Sequence, residues 1–196
     1  SNWENYLYYA ERDPLVQLAI LKAQFELIHP FLDGNGRIGR MLVPIILYQK
    51  KILSQPMFYI SAYLERNRDV YYDRLRAVSK EGDWNGWIAF FLEALIRQAE
   101  ENNQKAKGIL ELYNQMKIRI PEILHSQYSI QAVDAMFSRP IFKSKDFSRI
   151  SGIPERTAPR IVQTLKESGL LSVIRKGRGQ TSAIYMFSEL IEITER

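Results

Sequence analysis

The chain has 196 residues, of which 46% are hydrophobic and 25% charged. That is enough apolar material for a buried core, in one domain or two small ones. There is no cysteine, and His29 and His125 are the only histidines. A disulfide framework and a thiolate metal site are thereby excluded, and an ordinary zinc centre would lack ligands. The net charge of +5 comes entirely from the C-terminal part: residues 1–116 hold 14 Lys/Arg and 14 Asp/Glu, and residues 117–196 hold 13 and 8. This asymmetry points to two regions with different partners.

In chain order, residues 1–11 are aromatic-rich (Trp3, Tyr6, Tyr8, Tyr9) and expected to be helical. Asp13-Pro14 reads as an N-cap followed by proline at the first helical position. The helix that follows, to about Ile28, is apolar nearly all round, which predicts a central helix. Pro30 ends it, because the residue before a proline is disfavoured in helix. His29 is then held at the C-terminal end of a rigid element. A second helix is expected over Arg37–Gln49, kinked at Pro44. Its stretch Met41–Tyr48 is the longest apolar run in the chain, too short to span a bilayer, and no signal peptide is visible. A third helix is expected over Ser61–Ala77, carrying Tyr63, Asn67, Tyr71 and Tyr72. Asp83 caps a fourth from Trp84 to about Asn102, with Trp87, Phe90, Phe91, Leu95 and Ile96 inward.

Residues 106–126 read as a helical linker ending near Pro121, since they lack proline and serine clusters. Beyond it the pattern changes to a short helix (Lys145–Ile150), a Ser151-Gly152 turn and a second helix (Glu155–Ser168) ended by Gly169. Two alternating strands, Leu171–Lys176 and Ala183–Phe187, follow around Gly177-Arg178-Gly179. Helix, turn, helix and hairpin is the winged-helix plan. The expected fold is mainly α, in three parts: a helical domain over 1–105, the linker, and a winged helix-turn-helix domain over 127–196.

The chemistry concentrates in His29-Pro30-Phe31-Leu32-Asp33-Gly34-Asn35-Gly36-Arg37-Ile38-Gly39-Arg40. Glycines let a backbone approach a ligand closely. Placed at the start of the second helix, they put unpaired N–H groups and the positive end of the dipole at one point, which is an anion site. Arg37 and Arg40, three apart, share a helix face and present donor forks that suit phosphate. His29 can take a proton near neutral pH, and Asp33 supplies the hard oxygen that magnesium prefers. The glycines formally match G-x-G-x-x-G. However, an apolar helix precedes them rather than a strand, and no acidic residue lies between Ile45 and Leu64 to hold a ribose hydroxyl. No Walker lysine follows them either.

The twelve residues resemble, without a mismatch, the Fic motif H-x-F-x-[D/E]-G-N-G-R-x-x-R. The resemblance continues through 14–40, 59–75 (YISAYLERNRDVYYDRL) and 82–92 (GDWNGWIAFFL), and the C-terminal domain resembles the winged helix of multidomain bacterial Fic proteins. It implies a cytoplasmic protein adenylyltransferase that moves AMP from ATP to a Ser, Thr or Tyr hydroxyl of a target protein. By resemblance, His29 is the base and Asp33 holds Mg²⁺. Gly34, Asn35 and Gly36 form the anion hole through backbone N–H groups and the asparagine amide, while Arg37 and Arg40 bind the β- and γ-phosphates. Phe31 anchors the loop in the core. Gly36 and Arg40 favour nucleotidyl transfer over the family's kinase-like branch. Asn67, Tyr71 and Tyr72 are candidates for the border of the adenine or ribose, with core packing as the alternative for both tyrosines. Transfer of UMP or phosphocholine, or removal of AMP, are the rival reactions at the same site.

Two departures from the family stand out. The inhibitory [S/T]-x-x-x-E-[G/N] motif is not found, since Ser79-Lys80-Glu81-Gly82 has the wrong spacing. The target-docking β-hairpin flap that precedes the Trp3 segment in relatives is not found either. The expectation is a C-terminal fragment of a longer protein.

Residues 127–188 hold 10 basic and 4 acidic side chains. Arg156, Thr157 and Arg160 sit at the start of the expected recognition helix, and Arg175, Lys176 and Arg178 in the wing. That suits phosphate-backbone contacts to DNA, and a regulator of toxin–antitoxin type with a silent catalytic loop is the rival function. Against DNA stand Pro159, early in that helix, and the alternative of a docking or homodimerisation module. His125 reads as a linker or surface residue.

Overall fold

A computed structural model describes residues 2–178 and 181–195. Ser1, Gly179 of the expected hairpin turn, Gln180 and Arg196 lie outside the described residues. The chain divides into two compact units, 1–103 and 104–196. Among the described residues no helix is long and apolar enough to cross a membrane.

In the first unit, α1 (Asn2–Tyr8) and α2 (Pro14–Ile28) come first. The cap expected at Asp13 forms: its Oδ1 accepts from Leu15 N at 2.8 Å and Val16 N at 3.3 Å, satisfying two of the N–H groups a helix start leaves orphaned. Leu18, Ala19, Leu21 and Ala23 are buried. The Trp3 indole donates to Leu21 O (2.9 Å) and the Trp87 indole to Ala19 O (2.7 Å). Thus α2 is central as expected, although Leu27 and Ile28 at its end are exposed.

The second helix, α3 (Asn35–Gln49), packs on α2 and continues through Pro44. It turns Val43, Ile46 and Leu47 inward and leaves Met41, Ile45 and Tyr48 exposed. The expected third helix is two helices, α4 (Ser61–Arg66) and α5 (Arg68–Glu81). Asn67 interrupts them with φ −112° and ψ 34°, and its side chain donates to Tyr63 O at 2.9 Å. An asparagine side chain that bonds the preceding turn competes with the helix ladder. The fourth helix, α6, runs from Trp84 to Leu124, well past the expected end near Asn102 and through Pro121. Trp87, Phe91 and Leu95 face inward as expected, but Ile96 is exposed.

The boundary between the units falls inside α6, after Asn103. Residues expected to form a linker therefore belong to the second unit, where Leu112, Met116 and Ile120 join its core with Met136, Phe147, Leu165 and Phe187. That unit continues as α7 (Ser129–Ser138), β1 (Ile141–Lys143), a 3-10 turn (Ser144–Asp146), α8 (Phe147–Ser151), α9 (Ala158–Glu167), β2 (Leu171–Arg175), β3 (Ile184–Phe187) and α10 (Ser188–Glu195). The strands form an antiparallel sheet in the order β1-β3-β2, so two helices, α8 and α9, are followed in the chain by the paired strands β2 and β3. The α9 helix starts three residues later than expected, at Ala158. Pro159 sits in its first turn, where proline is tolerated, and so does not distort the exposed face.

Candidate active site

The end of α2 and the start of α3 build the loop. His29 caps α2 in the left-handed conformation (φ 49°, ψ 58°), and its backbone N–H donates to Phe25 O at 3.1 Å. A non-glycine residue there is uncommon. The conformation swings the chain out of the helix at His29, whose side chain is exposed. Gly34 is the N-cap of α3, also left-handed at φ 83°, a conformation that glycine adopts without a Cβ penalty. No side chain caps the first turn, so its N–H groups are not taken by a capping residue, as an anion site requires. At Gly36 an added Cβ would meet Arg40 Nη1 at 3.4 Å.

Asn35 is 2% exposed, and both ends of its side-chain amide are taken. Its Oδ1 accepts from Phe31 N at 2.9 Å, and its Nδ2 donates to Phe31 O. The side chain was expected in the anion hole. It instead fastens the loop to the start of α3, and what Asn35 offers a ligand is its backbone N–H. Phe31 is likewise not the expected core anchor: its ring is 49% exposed and touches Phe25 at 6.4 Å. Its backbone is what fixes the loop.

Asp33 is open to solvent. Its Oδ1 accepts from Gly34 N at 2.6 Å, and its Oδ2 lies 3.5 Å from Arg37 Nη2. Among the described residues no group of three acidic, histidine or cysteine side chains could hold a metal by itself. A single carboxylate beside arginines fits a magnesium ion coordinated mainly by substrate phosphates.

Arg37 and Arg40 line one groove of about 440 Å³ together with Met41, Pro44, Met57 and Tyr59. Arg40 also lines a smaller cavity of about 210 Å³ with Ser61, Glu65, Arg68, Tyr71 and Tyr72. Of the nucleoside candidates, the two tyrosines reach this cavity. Asn67 is not part of the lining and is spent on the break between α4 and α5. The core alternative holds for Tyr71, which is 8% exposed, but not for Tyr72, at 50%.

Beneath Arg40 lies a charged cluster that sequence reasoning missed. Lys22, 3% exposed, forms an ion pair with Glu26 one turn on, and its Nζ is 3.4 Å from the Tyr71 hydroxyl. Burial pulls the Lys22 pKa down, and Glu26 partly restores it. Burial also pushes the Tyr71 hydroxyl well above the ordinary tyrosine range, with Glu26 adding to the shift, so Tyr71 stays protonated. Gly39 makes room for the cluster: a Cβ there would lie 2.8 Å from Lys22 Nζ and 3.2 Å from Phe25. The signal available was the i,i+4 spacing of Lys22 and Glu26 on an otherwise apolar helix.

In the second unit, Arg156, Arg160, Arg175, Lys176 and Arg178 are exposed, and none pairs with a carboxylate among the described residues. Arg156 and Thr157 precede α9 rather than lying in it. Thr157 is its N-cap but makes no side-chain cap bond. Arg178 bridges to Thr181 through the backbone at 3.0 Å. His125 is exposed and ends α6 with φ 46°.

Comparison with known proteins bears on the first unit most directly. Residues 1–47 match the Fic/DOC family. A probable protein adenylyltransferase of Aquifex aeolicus is 28% identical over 149 residues, covering 70% of this chain and 42% of that protein. The crystal structure of a Fic family protein from Desulfovibrio desulfuricans superposes with a TM-score of 0.50 at 21% identity, over 94% of this chain and 53% of that one. The chain thus spans less than half the length of the curated relative and about half of the solved one. At 21% identity the superposition speaks to the fold.

Proposed function

Because residues 1–47 match the Fic/DOC family, we propose that the chain acts as a protein adenylyltransferase, moving AMP from ATP to a hydroxyl side chain of a target protein. The observation that carries this reading is the left-handed Gly34 cap, which opens the first turn of α3 beside Arg37 and Arg40 on the wall of one groove. The backbone N–H groups and the two guanidinium forks bind the phosphate chain and hold the α-phosphate for in-line attack. His29 takes the hydroxyl proton as the oxygen attacks the α-phosphorus. The bond from that phosphorus to the bridging oxygen breaks, and pyrophosphate leaves. Asp33 would hold Mg²⁺ together with the phosphates; when bound, the ion screens the charge of the leaving group. A cytoplasmic site of action, where ATP is abundant, is part of the same proposal.

The test is incubation of the full-length protein and a cell extract with α-labelled ATP, UTP or CDP-choline and Mg²⁺. Label on protein from ATP alone, lost in His29→Ala, is the expected result. Label from UTP or CDP-choline instead of ATP would replace the reading with one of the rival transfers. No label from any donor favours the regulator with a silent loop.

For the second unit we propose binding to the DNA phosphate backbone. Its support is the winged helix-turn-helix order and five exposed cations without carboxylate partners among the described residues. Such cations are free to displace counterions from a duplex. A gel shift of duplex DNA that weakens steeply with salt is expected, and no shift at low salt would remove the proposal. The same face as a homodimer contact is the competing outcome, read by light scattering.

A further inference from the structure

We propose that Arg68 is a third phosphate-binding arginine, which joins Arg40 on the distal phosphate of a nucleoside triphosphate held at the glycine loop. This rests on the reading of that loop as a nucleotide site. Arg68 lies outside the twelve-residue motif and on a different helix. The break at Asn67 makes it the first residue of α5, and from there it lines the same 210 Å³ cavity as Arg40.

Its guanidinium is held in place. It sits 5.7 Å from the centre of the Tyr72 ring, one turn on, as a cation over an aromatic face. Tyr72 packs edge-on against Tyr71 at 5.3 Å. Tyr71 in turn lies 5.7 Å from Trp87, which is fully buried. The stack therefore runs from the core to the arginine, and ordering the side chain on binding costs little further entropy.

Arg68 makes no ion pair with a carboxylate among the described residues. Glu65 lies on the same wall and repels an anion placed against it, so a phosphate sits toward the two arginines. Two cations around one small cavity repel each other until a polyanion enters. The ligand is a phosphate chain rather than a single phosphate, because Arg37 serves its near part from the larger groove while Arg40 lines both that groove and the cavity of Arg68. Arg68 thus sets a preference for a triphosphate over a diphosphate.

The test is calorimetric titration of the full chain with sodium tripolyphosphate and with pyrophosphate, using wild type, Arg68→Gln, Arg68→Lys and Arg40→Gln. Arg68→Gln is expected to weaken tripolyphosphate about tenfold, the worth of one charge-assisted hydrogen bond, and to leave pyrophosphate and the melting temperature unchanged. Arg68→Lys should fall between, since it keeps the charge and loses the planar stack. The same split is expected for ATP against ADP. Equal weakening of both salts by Arg68→Gln, or of neither while Arg40→Gln weakens both, overturns the role of Arg68 alone. Failure of the wild-type chain to bind either salt overturns the nucleotide reading itself.

Discussion

The two charged regions of the molecule are built in opposite ways. Around α2 and α3 several polar side chains are tied to a neighbour. Lys22 is paired with Glu26 in the interior, Asp33 lies against Arg37, and Asn35 holds both backbone groups of Phe31. On the second unit, Arg156, Arg160, Arg175, Lys176 and Arg178 project from the surface without such partners among the described residues. Bond-making chemistry needs groups held to fractions of an ångström, so the first region spends its polar groups on positioning. Contact with a phosphate backbone needs charge within reach and little else. The expected responses to mutation differ accordingly: large and sharply local in the first region, small and additive in the second.

The largest effect should come from His29→Ala, which removes the base and lowers AMP transfer by about 10²–10⁴-fold. The side chain is exposed, so the melting temperature should not move. Transfer at the wild-type rate would sink the assignment.

Next comes the buried pair. Lys22→Met leaves Glu26 without its cation in the interior and should cost about 3–5 kcal/mol of stability, read by denaturant unfolding. Lys22→Met combined with Glu26→Leu should recover most of that loss. If the single substitution costs nothing, the pair does not hold α2 as described.

Gly39→Ala tests the same place from α3. A Cβ there meets the Glu26 carboxylate, the Lys22 ammonium and the Phe25 ring, so the buried pair must shift, at about 1–3 kcal/mol, and ATP binding should weaken as Arg40 moves with it. A neutral result in both measurements would show that the contact relaxes freely.

The smallest effects belong to the second unit. Arg160→Ala and Arg178→Ala should each lower DNA affinity evenly across sequences and reduce the salt slope by about one, with no change in fold. Loss confined to one DNA sequence would mean a base contact instead of a phosphate contact.

Much of the chemistry was readable along the chain because its parts are close in sequence. The Asp13 cap, the end of α2 before Pro30, the glycines at the start of α3 and the shared face of Arg37 and Arg40 all follow from spacings of a few residues and from the conformations that glycine and proline allow. The helix-turn-helix order and the late hairpin were legible for the same reason. Local rules do not reach contacts between distant residues. Lys22 meets Tyr71 across 49 positions, and Trp87 bonds Ala19 across 68. Those meetings set the Lys22 ammonium against Tyr71 in the core; of the two tyrosines that line the cavity, Tyr71 is buried and Tyr72 half exposed.

Packing also overrode local expectation at three points. Asn67 splits a helix that its neighbours favour, by bonding back to Tyr63. The segment expected as a helical linker is helical within α6, but its turns carry Leu112, Met116 and Ile120 into the core of the second unit. The amide of Asn35 turns inward, because a buried amide needs partners and the backbone of Phe31 supplies both. The motif residues with chemistry in them were visible in the sequence, whereas Lys22, Glu26 and Arg68 were not singled out there. Which of them face a ligand and which hold the others in place was decided by burial, where an unpaired polar group costs too much to remain so.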